Sequence, residues 1–198
     1  MSNQSIIVLT GGPCGGKTTL INELSSDPAW AGRFAALPEA ISLMGTLGIS
    51  SSEKLFQRVM VHTQMALEDG LVRVLDPDHK RLILCHRGSL DPLAYWLDRG
   101  WPKEEFFEYT GTTREMHYRR YTGVIHLVTA ADGAQHAYRH WPDTHRPETT
   151  GQAIRLDRLL QKVWSGHPRY FKIGNEDCDW PAKAQKAREI LVKLYGEI

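Results

Sequence analysis

A chain of 198 residues, 41% of them hydrophobic, is long enough for one domain with a full core, and 24 Lys plus Arg against 23 Asp plus Glu leave a formal net charge of +1. That balance gives no electrostatic footing for nucleic acid or an anionic membrane as the main partner, and no apolar stretch is long enough to span a bilayer. The three cysteines, Cys14, Cys85 and Cys178, are odd in number and widely spaced, which points to neither a disulfide framework nor a zinc site.

Ile6-Ile7-Val8-Leu9-Thr10 is an apolar, β-branched run that reads as a buried strand. It leads into Gly11-Gly12-Pro13-Cys14-Gly15-Gly16-Lys17-Thr18-Thr19, which fits G-x-x-x-x-G-K-[ST] without a mismatch. Gly11 ends the strand in a turn. Gly12, Gly15 and Gly16 carry no side chain, so the backbone N–H groups of the loop, Pro13 and Cys14 included in its span, can wrap a phosphate chain. Lys17 supplies positive charge for the β- and γ-phosphates, the Thr18 hydroxyl can ligate Mg²⁺, and the helix expected from Thr18 to Leu24 aims its N-terminal dipole at the same anion. Strand, loop and helix arrive in the order a nucleoside triphosphate site requires, and Cys14 reads as a plain small loop residue.

Ser25-Ser26-Asp27-Pro28 stops that helix, and Phe34 to Leu37 predicts a second strand followed by Pro38-Glu39. Ser50-Ser51-Ser52-Glu53 is a capping-box pattern ahead of a long helix, whose apolar positions Leu55, Phe56, Val59, Met60, Met65, Leu67, Leu71, Val72 and Leu75 recur near helical spacing. Arg81 to Cys85 predicts a third strand, after which His86-Arg87-Gly88-Ser89 turns into a helix from about Asp91 to Leu97. Residues 102–121 predict one or two helices, and Gly123 to Thr129 a fourth strand. The turn-rich segment from Asp132 to Thr149 carries Arg139, His140, His145 and Arg146. Gln152 to Trp164 predicts a helix, Tyr170 to Ile173 a fifth strand, and Trp180 to Tyr195 a closing helix with Pro181 where proline is tolerated. Strands separated by helices imply an α/β fold with a parallel sheet of about five strands between helical layers, in one domain over residues 1–198.

Ligands of such sheets gather at the C-terminal ends of the strands, where Glu39, then His86, Arg87 and Asp91, then Thr129 and Asp132 follow their strands. Phosphoryl transfer needs a carboxylate to orient or deprotonate the acceptor, and Glu39 is the candidate. Arg87 can hold the acceptor or neutralise developing charge, and Asp91 either caps its helix or carries Mg²⁺ through water. Arg146 is best placed to close over the γ-phosphate from a lid at about residues 132–150, with Arg139 and Arg155 behind it. The nine histidines lack metal-ligand spacing: His126 reads as a satisfied core residue, and His140 and His145 as surface residues. The six tryptophans read as packing anchors, and Met44, Met60, Met65, Trp96, Trp101, Phe106, Phe107 and Tyr109 suggest either a partly apolar substrate pocket or core.

Leu9 to Thr19, Pro38-Glu39-Ala40, Arg87-Gly88 with Asp91, and Ile125 to Ala131 form an ordered set with Arg146 and Glu148, Leu156-Asp157, Trp164 with Gly166-His167-Pro168, and Asn175. In this set, covering about residues 5 to 195, the chain resembles the AAA-type, kinase-like P-loop family related to the ATP-binding domain of NadR. The same domain forms the N-terminal part of the animal TRPL translocation defect protein. The resemblance implies a nucleoside- or nucleotide-kinase-like P-loop NTPase fold, with Glu39 as base, Arg87 at the acceptor end, Arg146 in the lid and Asn175 near the nucleobase. ATP and GTP both remain open as donor. The family usually has Asp where this chain has His86, and a neutral His orders Mg²⁺ less well through water, so either Glu39 or Asp91 takes over or turnover is weak; His86 is alternatively an acid or base near neutral pH. Two functions follow as expectations: a kinase acting with Mg²⁺ and ATP or GTP on a hydroxyl or phosphate of a small-molecule acceptor, or a nucleotide-dependent switch with slow hydrolysis. The N-terminal Met1 to Ser5 carries no signal-peptide charge pattern, so a soluble, cytoplasmic protein is expected, its oligomeric state unread.

Overall fold

The computed structural model describes residues 4–44, 49–76, 78–138, 148–176 and 179–197. The chain runs β1 (Gln4–Thr10), α1 (Lys17–Ser26), β2 (Phe34–Leu37), α2 (Ile41–Met44), α3 (Lys54–Val74), β3 (Arg81–His86), α4 (Asp91–Asp98), α5 (Lys103–Thr110), α6 (Arg114–Arg119), β4 (Gly123–Leu127), α7 (Thr150–Trp164), β5 (Tyr170–Ile173) and α8 (Trp180–Gly196). Short 3₁₀ turns at Pro28–Trp30 and Gln135–Ala137 complete the list. The five strands form one sheet in the order β2-β3-β1-β4-β5, every pairing parallel. This is the P-loop α/β fold.

The alternation of side chains along each strand builds two cores from one sheet. Ile7 and Leu9 of β1, with Leu82 and Leu84 of β3 and Ile125 and Leu127 of β4, pack on Leu20 and Leu24 of α1 and Leu191 and Leu194 of α8. Val8 and Val124 face the other way, onto Leu90, Leu93, Trp96, Leu160 and Trp164 around α4 and α7. Trp96 and Phe106 are fully buried there, so these aromatics are core and not pocket wall. Because β1 is paired on both sides and the chain moves from β3 on one flank to β4 on the other, the loop after β1 sits at the point where the strand order switches.

Two local expectations come out differently. Ser50 to Glu53 forms a turn ahead of α3 and not its cap: Ser50 Oγ accepts from Ser52 N, Glu53 Oε1 accepts from Ser50 N, and Glu53 at the cap position makes no side-chain cap bond. The capping box stands instead on α7, where Thr149 and Gln152 satisfy each other's backbone N–H. Along α3 the buried stripe is Gln57, Val61, Gln64 and Glu68, while Leu55 and Val72 are exposed. Met65, Leu67 and Leu71 do pack against the cores, so the apolar pattern finds the inward side, but the most deeply buried line of the helix is mostly polar and the apolar residues flank it.

Candidate active site

A cleft of about 710 Å³ opens at the C-terminal edge of the sheet, lined by Pro13 to Thr19 of the loop after β1 and by Glu39, His86 and Arg87 from the ends of β2 and β3. Tyr95, Glu148, Asn175, Trp180 and Lys183 close its sides. Two loop positions combine a positive φ with no room for a side chain, and at Gly15 a Cβ would lie 2.4 Å from the Leu127 carbonyl oxygen. Gly11 has φ +128° and a Cβ there would lie 2.0 Å from the Leu127 carbonyl oxygen; Gly16 has φ +98° and its Cβ would lie 2.0 Å from the Trp180 ring.

Gly12 lies outside the cleft lining, and its N–H points away, donating to Asp157 Oδ1 at 2.6 Å. Asp157, buried on α7, also accepts from Thr129 N at 3.1 Å, from Gln161 Nε2 at 2.8 Å and from His126 Nε2 at 3.1 Å. Burial works to raise its pKa, but the His126 hydrogen bond and the other donors hold the carboxyl below its ordinary value. His126 is thus half satisfied: its Nδ1 is buried without a hydrogen-bond partner. Asp157 pins the phosphate loop to the end of β4, and only its place in the family motif marked it in the sequence.

Lys17 is 5% exposed and donates to the carbonyls of Gly11 at 2.8 Å and Gly12 at 3.0 Å, curled back onto its own loop. Burial first, then the nearby Arg87, lower its pKa to about 7. Glu39 accepts a hydrogen bond from Arg87 Nε, and its second oxygen lies 3.7 Å from His86 Nδ1. Burial would raise the Glu39 pKa, but Arg87, His86 and Lys17 hold it at about 2. His86 Nε2 is 3.0 Å from Thr18 Oγ1, and burial followed by Lys17 pushes the ring down to about 3, so it does not titrate near neutrality.

Arg87 takes a left-handed backbone, φ +80°, unusual for a residue with a side chain. Its N–H donates to Leu9 O at 3.0 Å and its carbonyl accepts from Gln64 Nε2 at 3.2 Å, so β1 and α3 clamp the turn. The guanidinium bridges Glu39 and Asp91 and stands 5.5 Å from the centre of the Tyr95 ring. Burial opposes its charge, and Tyr95, Glu39 and Asp91 together raise its pKa above the ordinary value. Tyr95 was not foreseen: it lies among the apolar residues of α4, and nothing in its spacing marks it.

Asp91 is the first residue of α4 and does not line the cleft. Its oxygens accept from Thr10 Oγ1 at 2.9 Å, from Trp164 Nε1 at 2.7 Å and from Arg87, and α4 has no side-chain cap. Asn175 does line the cleft, but its amide donates to the carbonyls of Thr129 and Asp132 at 2.8 and 2.5 Å, and its oxygen accepts from Lys183 at 2.8 Å. It ties the ends of β4 and β5 together. Arg155, on α7, pairs with Asp98 at 2.7 Å, away from the cleft. Met44 is described in backbone only, and Arg139, His140, His145, Arg146 and Cys178 lie outside the described residues.

Among the described residues no group of three or more His, Cys, Asp or Glu could hold a metal by itself. The Thr18 hydroxyl, on the first turn of α1 and in the cleft lining, is the oxygen donor that suits a cation arriving with a nucleotide, since a hard divalent ion bound chiefly by phosphates and water needs few protein ligands. No helix among the described residues is long and apolar enough to cross a membrane.

A glycine-rich loop with a buried lysine, set between the central strand of a parallel sheet and a helix N-terminus, defines a P-loop nucleotide-binding domain of kinase-like fold. Residues 6–182 match the family described as AAA domain, and the chain belongs to that family. Among solved structures it is similar to a deoxyadenosine kinase from M. mycoides, whose structure holds the products dCMP and a flexible dCDP, with a TM-score of 0.60 and 12% identity over 95% of this chain and 99% of that one. At that identity the likeness speaks for the fold. No curated protein matches the chain.

Proposed function

We propose that the protein is a small-molecule kinase that transfers the γ-phosphoryl group of Mg²⁺-bound ATP or GTP to a hydroxyl or phosphate of a metabolite. The observation that carries this reading is the Glu39–Arg87 pair lining the same cleft as Lys17 and the phosphate loop. A carboxylate–guanidinium pair in the cleft beside the phosphate loop can hold and orient an acceptor hydroxyl or phosphate. The acceptor oxygen attacks the γ-phosphorus, the bond to the β–γ bridging oxygen breaks, and the diphosphate leaves. Lys17 compensates the charge on the phosphates. With a pKa of about 2, Glu39 acts chiefly by accepting a hydrogen bond from the acceptor and orienting it, the proton leaving late, as a loose transition state allows. Mg²⁺, when bound, supplies charge neutralisation at the β- and γ-oxygens, and Thr18 is the residue assigned to it. The assignment of Arg146 to closure over the γ-phosphate belongs to the same proposal.

The commitment of both Asp91 oxygens to Thr10, Trp164 and Arg87 favours a second reading, a nucleotide-dependent switch with slow hydrolysis. One experiment separates the two. The protein and a Lys17→Ala control are incubated with Mg-ATP or Mg-GTP and a small-molecule extract, and metabolites gaining one phosphoryl group are sought by mass spectrometry. A gain that depends on Lys17 supports the kinase and names its acceptor; no gain with nucleotide binding intact supports the switch.

A further inference from the structure

We propose that His86 is a direct nitrogen ligand of the divalent cation that accompanies the nucleotide, so that this site favours Co²⁺ over Mg²⁺. The inference rests on the reading that the Thr18 hydroxyl meets that cation. Adjacent ligands of an octahedral ion with bonds of ~2.1 Å lie about 3.0 Å apart, the bond length times the square root of two. The His86 Nε2 to Thr18 Oγ1 separation is 3.0 Å. The spacing of the two atoms thus matches that of two adjacent ligands of one ion, which would replace the hydrogen bond they now share.

The far side of the ring gives an independent observation. His86 is 8% exposed, and its Nδ1 is buried without a hydrogen-bond partner. It lies 3.7 Å from Glu39 Oε2, and the other Glu39 oxygen is anchored by Arg87. A histidine bound to a metal through one nitrogen hands the proton on the other to a carboxylate or carbonyl, which fixes the tautomer. A cation on Nε2 puts the proton on Nδ1, and a shift of well under 1 Å brings it into hydrogen-bonding reach of Glu39. The unpartnered nitrogen is then a ligand's second nitrogen, waiting for its proton. Asp91 is locked to Thr10, Trp164 and Arg87 and does not line the cleft, and Glu39 is held by Arg87 on the far side of the ring, which leaves the imidazole as the donor already seated beside Thr18. Imidazole suits the later transition metals, whereas Mg²⁺ prefers oxygen and keeps its waters.

The test uses the whole protein with ADP or GDP and Mn²⁺ as the probe. Pulsed electron paramagnetic resonance of the Mn²⁺–nucleotide complex, in protein carrying ¹⁵N-histidine, is expected to show a directly bound nitrogen. The signal is expected to vanish in His86→Gln, whose amide can still reach the Thr18 hydroxyl. Titrations at saturating nucleotide are expected to show Co²⁺ affinity falling about tenfold or more in that variant, with Mg²⁺ affinity changing less. A wild-type complex that binds nucleotide and Mn²⁺ without nitrogen coupling overturns the ligand assignment alone, and that spectrum needs no variant. Failure of the wild type to bind either nucleotide overturns the nucleotide reading and the assignment with it.

Discussion

Lys17 enters the free protein with its ammonium at about 7, lowered from 10.5 by burial and by Arg87, and a triphosphate placed against it favours the charged form. The sign follows directly. Above pH 7 the free side chain is largely neutral and nucleotide binding takes up a proton; below pH 7 it is already charged and binding takes up none. Calorimetry at pH 8 in buffers of different ionisation enthalpy is expected to show uptake approaching one proton, fading by pH 6 and absent in Lys17→Met. Glu39 shifts the opposite way, from 4.5 to about 2, so its pairing stabilises the fold above pH 4.5 and that contribution is lost as the pH falls toward 2. If the kinase reading holds, Glu39→Gln lowers kcat by about 10²–10⁴-fold while nucleotide affinity changes only severalfold, which steady-state kinetics beside equilibrium binding would resolve.

The element that departs most from its sequence pattern is α3. Its Glu68 is fully buried, ion-paired to Arg120 at 2.8 Å, and bonded to Tyr121 and Gln64, and burial raises its pKa. Removing one partner of a buried pair leaves the other charge uncompensated, so Glu68→Ala is expected to destabilise the fold by about 3–5 kcal/mol in denaturant unfolding. Leu55→Ala on the exposed face of the same helix is expected to change stability by about 0.5 kcal/mol or less. Hydrophobic periodicity would rank these two positions the other way round. β1, β3 and β4 were legible because parallel strands buried on both faces leave continuous apolar runs, and the phosphate loop because its glycines and Lys17 stand at fixed spacing. Gln64 and Glu68 were not, since a buried polar side chain is recognisable only through partners such as Arg87 and Arg120, 23 and 52 residues away. Asp157 was legible as part of a family pattern, but its bond to Gly12, 145 residues distant, was not.

At the scale of the whole molecule, the cleft gathers residues from the ends of β1, β2 and β3 together with the start of α8, so a nucleotide bound there braces much of the sheet's edge at once. At a hundredfold excess over Kd, binding stabilises by about 2.7 kcal/mol. For a chain of this length that raises Tm by about 5–10 °C. A thermal melt with ATP and with GTP is expected to show which nucleotide does so, and neither is expected to shift Lys17→Met. Asp157→Ala, which frees the Gly12 N–H and uncouples the loop from β4, is expected to lower Tm in the absence of nucleotide and to weaken the ligand-induced shift.

Trp180 lies against Gly16, donates to Glu23 at 2.6 Å, and among the described residues is the tryptophan that lines the cleft, whereas Trp30, Trp96 and Trp164 are buried in the core. The fold has thereby installed an optical gauge beside its own anion site. Occupancy of the loop changes the surroundings of that indole, while Trp30, Trp96 and Trp164 contribute a steady background. Intrinsic emission can then follow nucleotide arrival in real time without an attached dye, and Trp180→Phe supplies the blank.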